Sequence, residues 1–413
     1  MTDSAPGRNP LRGRRVALGV TGSIAAYKAV AIASSLTQQG ALVDVVMTPE
    51  ATRLVQPLSF QAITHRPVAW DMFELLAATE IGHVSIGHGA DLLVVAPATA
   101  HSIAKLALGL ADDMLGTTAL ATLAPGLIAP AMETNMWLHP ATQGHLATLR
   151  ARGWTVVEPE SGHLASGASG EGRLAPPEMI VDVAKHLLAQ GGDLSGWRVI
   201  VTAGGTREPI DPVRYVSNRS SGKMGYAAAE AARDRGAVVT LITTTGQQPP
   251  AGITTVDVEQ ATKMRDAVVA AFAEIDVLVM AAAVADYAPI EIAPDKIKKS
   301  GSSMLLELAL TPDILGEVAG LGSNGQRPLI VGFAAETENL VENARAKLAR
   351  KRLDLIVAND VSQPGGVFAS DANKVTMIRS DGTSIDLPLL PKIDVAHALW
   401  DEVLAARRAG RGR

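Results

Sequence analysis

The sequence predicts two α/β domains joined head to tail, each built around a parallel sheet. Three observations carry that expectation. Short β-branched runs alternate with helical stretches, and the alternation starts afresh after Gly191-Gly192-Asp193. The segment following Asp91 is a continuous apolar run, LLVVA, as expected of a strand covered on both faces. At 413 residues the chain is long enough for about two to three domains, each with its own core.

In the first series, strands at Val16–Val20 and Leu42–Met47 flank a helix from Ile24 to Gln39, stopped by Gly40. A helix to Leu110 follows the run after Asp91, and Leu127–Ala131 reads as another strand. Residues 158–177 are rich in Pro, Gly and Ser and read as a mobile loop, before a helix over 177–189. The second series has strands at 198–202, 237–243, 276–281, 328–333 and 354–358. Its helices fall at 223–235, 260–272, 339–352 and 393–407, and Asp381-Gly382 marks a hairpin between 374–378 and 384–387. The expected divisions are a tail over 1–13, domains over 14–190 and 191–407, and a tail over 408–413.

Composition removes several classes. Hydrophobic content of 47% and charged content of 19% are ordinary for a soluble protein. A net charge of −5 argues against a general nucleic-acid partner, so local Lys and Arg clusters are read as sites. The chain has no cysteine, which excludes disulfides, thiolate metal sites and a thiol nucleophile, and suits a reducing cytoplasm. No secretory signal and no membrane span are expected, because no apolar run precedes the first strand or reaches about 18 residues.

The richest segment is TAGGTREPIDPVRYVSNRSSGKMG, residues 202–225. A strand opening into small residues and then a helix offers backbone N–H groups and a positive helix end to an anion. The loop adds Arg207, Arg214, Arg219 and Lys223, and connections this long are usually functional. It points to a nucleotide or a phosphorylated substrate. Downstream, Met280 to Asp286 places small residues at a strand end, where a base or ribose can approach the backbone. Lys296-Ile297-Lys298-Lys299 forms a flexible basic loop suited to a triphosphate, and Lys347 and Lys351 share one helix face. There is no Walker A sequence.

The opening turn of the first series, Gly19-Val20-Thr21-Gly22-Ser23-Ile24, lacks the G-x-G-x-x-G spacing of dinucleotide binders. Met47-Thr48-Pro49 stands where a carboxylate would hold a ribose, so a NAD enzyme is disfavoured. Hydroxyls at Thr21, Ser23, Thr48, Thr99 and Ser102 cluster at predicted strand ends. They suit a monophosphate such as FMN, and equally they suit helix N-caps.

GVTGSIAAYKA (19–29), His83 before ADLLVVAPATAHSIAKLALGLADDML (90–115), and PAMETNMW (130–137) resemble the flavin-dependent cysteine decarboxylases. The resemblance implies a flavodoxin-like domain binding FMN between subunits of a trimer, with Gly22, Ser23, Thr48, Thr99 and Ser102 at the cofactor. It implies that the carboxylate of 4′-phosphopantothenoylcysteine is removed after flavin oxidises the thiol to a thioaldehyde, which supplies the electron sink. His83 would be the base. Two positions depart from the family. Glu133 replaces the usual substrate-binding Asn, so it must turn away, or Asn135 or a backbone group takes over. Ser166 stands where the flap normally carries a Cys acid.

AGGTREPIDPVRYVSNRSSGKMG, AAAVADY, DKIKK, TPDIL and GFAAETENL (332–340) resemble phosphopantothenate–cysteine ligase over residues 195 to 405. The resemblance implies a Rossmann-like ligase domain in which 4′-phosphopantothenate attacks CTP and cysteine then displaces CMP from the acyl-cytidylate. Asn218 would position the acyl group, with Arg214 beside it, and Lys296 would stabilise the triphosphate. Ala281, Ala282, Asp286, Pro312, Asp313, Ile314, Leu315, Phe333, Lys347 and Lys351 would hold CTP, with Mg2+ carried mainly by the phosphates. Together the two halves resemble the bacterial bifunctional enzymes of coenzyme A biosynthesis. The family implies a homo-oligomer in which trimers and dimers close into a dodecamer. The alternative is a ligase alone, with the first domain a flavin-binding assembly scaffold.

Overall fold

Side chains alternate across a strand, so a sheet covered on both faces needs apolar residues at every position. In the computed structural model, which describes residues 8–73, 82–299, 303–321, 327–336, 339–360 and 370–411, β3 (Leu92–Ala98) meets that condition along its whole length. The chain divides into two units, Asn9–Gln190 and one that contains Gly191 onward.

The first unit joins β1 (Arg15–Val20), β2 (Leu42–Met47), β3, β4 (Gly126–Pro130) and β5 (Thr155–Val156) in the parallel order β2-β1-β3-β4-β5. Alternate residues feed opposite cores. Val16, Leu18 and Val20 pack with Ile32, Leu36 and Ile180, whereas Ala17, Leu93 and Val95 pack with Ile103, Leu115 and Leu146. The order reverses between β1 and β3, which opens a crevice at the strands' C-terminal ends.

Three sequence expectations need correction here. Residues 158–177 are not a structureless loop: β6 (Glu160–His163) and β7 (Ser169–Arg173) pair as an antiparallel hairpin. Both strands are largely exposed, so there was no buried face to impose a two-residue hydrophobic period. The hairpin is fastened to the segment after β4. Met132 N–H donates to the Gly172 carbonyl at 2.9 Å, and Thr134 Oγ1 to that of Glu171 at 2.8 Å. Gly172 has φ +135, and a Cβ there would sit 2.1 Å from the Met132 oxygen. Nor is 1–13 wholly a tail, because Leu11 is fully buried in the first core. At the other end, helix Lys392–Arg411 runs past the expected stop at 407. Residues 1–7 and 412–413 of the expected tails, and Thr337 and Glu338 of the GFAAETENL motif, lie outside the described residues.

The second unit contains β8 (Arg198–Ala203), β9 (Arg207–Pro209), β10 (Tyr215–Ser217), β11 (Val238–Thr243), β12 (Thr254–Asp257) and β13 (Val277–Met280). It continues with β14 (Tyr287–Pro289), β15 (Leu308–Leu310), β16 (Leu329–Glu336), β17 (Leu355–Asp360), β18 (Ala372–Asn373), β19 (Val375–Arg379) and β20 (Ser384–Asp386). The main sheet has the order β12-β11-β8-β13-β16-β17-β19-β20; its first six strands are parallel and its last two antiparallel. The direction of winding reverses between β8 and β13, the doubly wound arrangement. Residues 202–225 are therefore not one open loop, since β9 and β10 pair within them and a helix starts at Lys223.

Helix Lys223–Arg233 lies close against β8 because Gly225 has no side chain. A Cβ at that position would lie 2.6 Å from Ala203 Cβ and 2.7 Å from the Thr202 oxygen. Helix Lys392–Arg411 covers the same face, and its fully buried Trp400 donates Nε1–H to the Ala228 carbonyl at 2.9 Å. Gly225→Ala is expected to destabilise the second unit by about 1–3 kcal/mol through overpacking. Denaturant unfolding followed by tryptophan fluorescence checks this, and an unchanged midpoint would show that the helix can retreat freely.

Candidate active sites

In the second unit the turns after β8 and β13 are locked together. Ala283 N–H donates to the Gly204 carbonyl at 2.8 Å, and Ala285 N–H to the buried Thr206 hydroxyl at 2.9 Å. These bonds hold open a cavity of about 590 Å³ at the C-terminal ends of the strands. Asn218, the Ala281–Asp286 turn, Pro312–Leu315, Phe333, Lys347 and Lys351 all border it. Thus residues up to 133 positions apart in the chain, predicted as one nucleotide and acyl site, line one cavity.

The polar groups of this wall are held by specific partners. Asn218 Nδ2 donates to the Val284 carbonyl at 3.0 Å, which fixes the amide at the cavity edge. Lys347 Nζ donates to the Phe333 carbonyl at 2.8 Å. Lys351 is ion-paired with Asp313, whose carboxylate also caps helix Ile314–Gly320 by accepting Gly316 N–H at 3.0 Å. Asp286 is exposed at the rim.

Arg214 and Lys296 stand outside the cavity lining. The Arg214 guanidinium is bound by Asp211, with Nε at 2.9 Å from Oδ2, and it donates to the Ile297 carbonyl at 2.8 Å. Asp211 in turn accepts Ile297 N–H at 3.1 Å. The pair thereby clamps the basic loop that carries exposed Lys296. Hydrogen bonding from Arg214 holds the Asp211 carboxyl well below the usual carboxylate range. Since that folded-state value is depressed, the clamp is present above the ordinary value of about 3.9 and is lost as pH falls through the depressed one.

Sequence reading missed Arg350, Asn359, Asn373 and Lys392, all of which line the same cavity. Asn359 had one available signal, a polar residue ending an apolar parallel strand. Asn373 and Lys392 enter from the terminal hairpin region and the last helix, so only the tertiary fold brings them in.

The first unit gathers its expected residues at the β1/β3 reversal. Thr21, fully buried after β1, donates to the Pro97 carbonyl at 2.8 Å and accepts Thr99 N–H at 3.0 Å after β3. Thr48 caps helix Pro49–Thr52, and Thr99 caps helix Ala100–Leu108 while donating to Ser102 Oγ at 3.0 Å. These hydroxyls thus act as caps. By contrast, helix Ala26–Gln38, next to Gly22 and Ser23, has no side-chain cap on its first N–H groups. A Cβ on Gly22 would meet Glu50 Cβ at 2.5 Å, so the turn lies close to the start of the neighbouring helix.

His83 lies in the first turn of helix Gly82–Gly89 and is partly exposed. The helix's last residue, Gly89, packs on the Arg15 side chain at the start of β1. Glu133 is turned into a cap: its Oε2 accepts Asn135 N–H at 2.7 Å, leaving the Asn135 side chain exposed. Ser166 is exposed at the tip of the β6–β7 hairpin.

Comparison with known proteins agrees with this division. Residues 194–406 match the family model described as DNA/pantothenate metabolism flavoprotein C-terminal domain, and residues 4–189 match the one described as Flavoprotein. The coenzyme A biosynthesis bifunctional protein CoaBC of Bacillus subtilis is 46% identical, over 96% of this chain and 98% of its own. The chain belongs to the bifunctional coenzyme A biosynthesis protein family. The CoaBC of Escherichia coli strain K12 is 44% identical, over 95% of this chain and 97% of its own. A solved C-terminal domain of a CoaBC protein shares 43% identity over 51% of this chain and 95% of that one, with a TM-score of 0.43. Membership makes the chain an enzyme of coenzyme A biosynthesis with ligase and phosphopantothenoylcysteine decarboxylase activities, its first unit a flavoprotein domain. Among the described residues no helix is long and apolar enough to cross a membrane.

Asp211→Ala should free the basic loop of the ligase domain. Trypsin cleavage after Lys296, Lys298 or Lys299 is then expected to accelerate several-fold, while cleavage unaltered by the substitution would show that the loop is held by something else.

Proposed function

We propose that the ligase cavity activates 4′-phosphopantothenate with CTP and couples it to cysteine, and that the flavoprotein domain decarboxylates the product using FMN. The observation that carries the first half is the single cavity bordered by Asn218, the Ala281–Asp286 turn, Phe333 and the Lys347/Lys351 face.

Ligation requires activation because a carboxylate has no leaving group that an amine can displace. A carboxylate oxygen bonds to the α-phosphorus as the α–β phosphate bond breaks, releasing pyrophosphate. The cysteine nitrogen then bonds to the acyl carbon, loses a proton, and CMP departs. Asn218 suits the acyl end: its Nδ2 is engaged by the Ala283 and Val284 carbonyls, so its oxygen is left to orient the substrate. Phe333 and the Pro312–Leu315 backbone suit the nucleoside. A phosphate can draw Lys351 from Asp313, since an exposed ion pair is worth only about 0–1 kcal/mol. Lys296, carried on the clamped loop outside the cavity lining, would swing in to the triphosphate, where its charge would offset that developing in the transition state. Magnesium would be held chiefly by the phosphates, with Asp286 the rim carboxylate nearest in character.

For decarboxylation, the residues at the β1/β3 reversal fit a flavin monophosphate. Helix Ala26–Gln38 begins without a side-chain cap and would turn its positive end to the phosphate, with Ala26 N–H and Lys28 N–H held by the Ser23 and Ala25 carbonyls. The Thr21 to Thr99 link sets the crevice floor. A bound flavin would supply the redox chemistry, taking two electrons from the substrate thiol and returning them once carbon dioxide has left. His83 holds the proton removed from substrate. With Glu133 committed to capping, Asn135 and the backbone beside it are left to meet the substrate carboxylate. Ser166, at the hairpin tip, delivers the last proton directly or through water. Ile24 and Tyr27, 67% and 63% exposed beside this crevice, support a homo-oligomer in which another copy covers it.

The deciding experiment supplies phosphopantothenate, cysteine, CTP and magnesium and follows pyrophosphate and carbon dioxide together. Both are expected; pyrophosphate alone would reduce the first domain to a scaffold. Lys296→Gln and Asn218→Asp should abolish ligation with flavin still bound, the latter because a carboxylate would face the Val284 carbonyl and the substrate carboxylate. Normal amide formation by either variant would remove these roles. His83→Asn should stop carbon dioxide release while pyrophosphate release continues; undiminished carbon dioxide would place the base elsewhere.

A further inference from the structure

Two asparagines in the ligase cavity hold amide oxygens that no described residue satisfies. Asn359, next to last in β17, is 9% exposed, and Asn373, in β18, is 3% exposed; in each the Oδ1 atom is buried without a hydrogen-bond partner among the described residues. Both line the cavity. Buried polar groups are almost always paired, so two orphans bordering one cavity indicate a ligand that completes them.

Lys392 borders the same space and is only 6% exposed. It is the first residue of helix Lys392–Arg411, and Lys223 is the first residue of helix Lys223–Arg233. A cation at a helix N-terminus opposes the macrodipole, and here two helices each begin with one. The pair is close enough to interact: burial first, and then the charge of Lys223, lowers the pKa of Lys392. Gly222 supplies no side chain to cap the Lys223 helix. Asp371 pairs with Lys223 at 2.7 Å and its charge also reaches Lys392, but that carboxylate is exposed, so a phosphate in the cavity would still meet two ammonium groups and two helix N-termini.

We propose that Lys392, Asn359 and Asn373 form a phosphate-binding subsite of the ligase cavity that receives the terminal phosphates of the nucleotide. This rests on the ligase reading above. A phosphate oxygen accepts from lysine and from amide N–H, and an asparagine exchanges donor for acceptor by half a turn. The nucleotide is favoured over the 4′-phosphate by register: Asn359 lies directly opposite Ala335, two residues beyond Phe333, on the neighbouring parallel strand. The subsite therefore continues the wall assigned to the nucleoside, whereas Asn218 directs the acyl chain to the β8–β13 side.

The test uses the full-length enzyme with Lys392→Met, Lys392→Arg and Asn373→Ala. KM is measured for CTP, phosphopantothenate and cysteine, and inorganic pyrophosphate binding is measured by calorimetry. Lys392→Met should raise KM for CTP and Kd for pyrophosphate about tenfold to a hundredfold, the loss of a charge-assisted phosphate contact. Lys392→Arg should recover most of this. Asn373→Ala should weaken pyrophosphate binding while leaving the unfolding midpoint unchanged or raised, because it removes an unsatisfied buried group. A rise confined to KM for phosphopantothenate would give the subsite to the other phosphate and overturn the assignment. Unchanged KM values and unchanged pyrophosphate affinity would overturn the subsite itself. Should the wild type consume no CTP, the ligase reading fails, and pyrophosphate affinity alone still decides the subsite.

Discussion

The ligase domain depends on the separation of two neighbouring strands at their C-terminal ends. Strands β8 and β13 run side by side through the core, yet the chain leaves them toward opposite faces of the sheet. The backbone bonds between Gly204 and Ala283, and between Thr206 and Ala285, tie the departing turns together. They keep the cavity from collapsing and fix the heights of Asn218 and Asp286. Small residues are required there because a larger side chain would fill the space that the ligand needs. The flavoprotein domain repeats the device with a hydroxyl, as Thr21 bridges the ends of β1 and β3.

Three cations in or beside the ligase cavity have a carboxylate close by. Lys351 meets Asp313, Lys223 meets Asp371, and Arg214 meets Asp211. The pairs do different work. The first two involve exposed carboxylates, worth little by themselves, so a phosphate can take the lysine without a large penalty. The third buries its carboxylate and adds backbone N–H groups from both segments, so it acts as a structural clamp. Charge pairing thus separates residues that greet the ligand from residues that hold the loops.

Much of the fold was legible because parallel strands covered on both faces must be apolar throughout, as in LLVVA of β3 and VLVM of β13. The ligase motifs were legible too: Asp286, Phe333 and Lys347 sit at strand ends or on a helix face that the pattern locates, and Asn218 lies in the motif segment 202–225. Elements with no buried face escaped notice. The β6–β7 and β9–β10 hairpins are short and mostly exposed, so their sequences look like loops. Leu11 likewise read as tail, because a single buried leucine has no period.

By itself, then, the sequence determined two α/β layers, the break near Gly191, and the residue types at the strand ends. Those follow from local backbone preference and from the apolar period, which act over a few residues. Only the tertiary structure decided what those residues do together. It gave the Glu133 carboxylate a helix to cap, set Arg214 on Asp211, and brought Asn359, Asn373 and Lys392 to one cavity. Such outcomes depend on which side chains compete for the same donor, and that is settled only when distant segments meet.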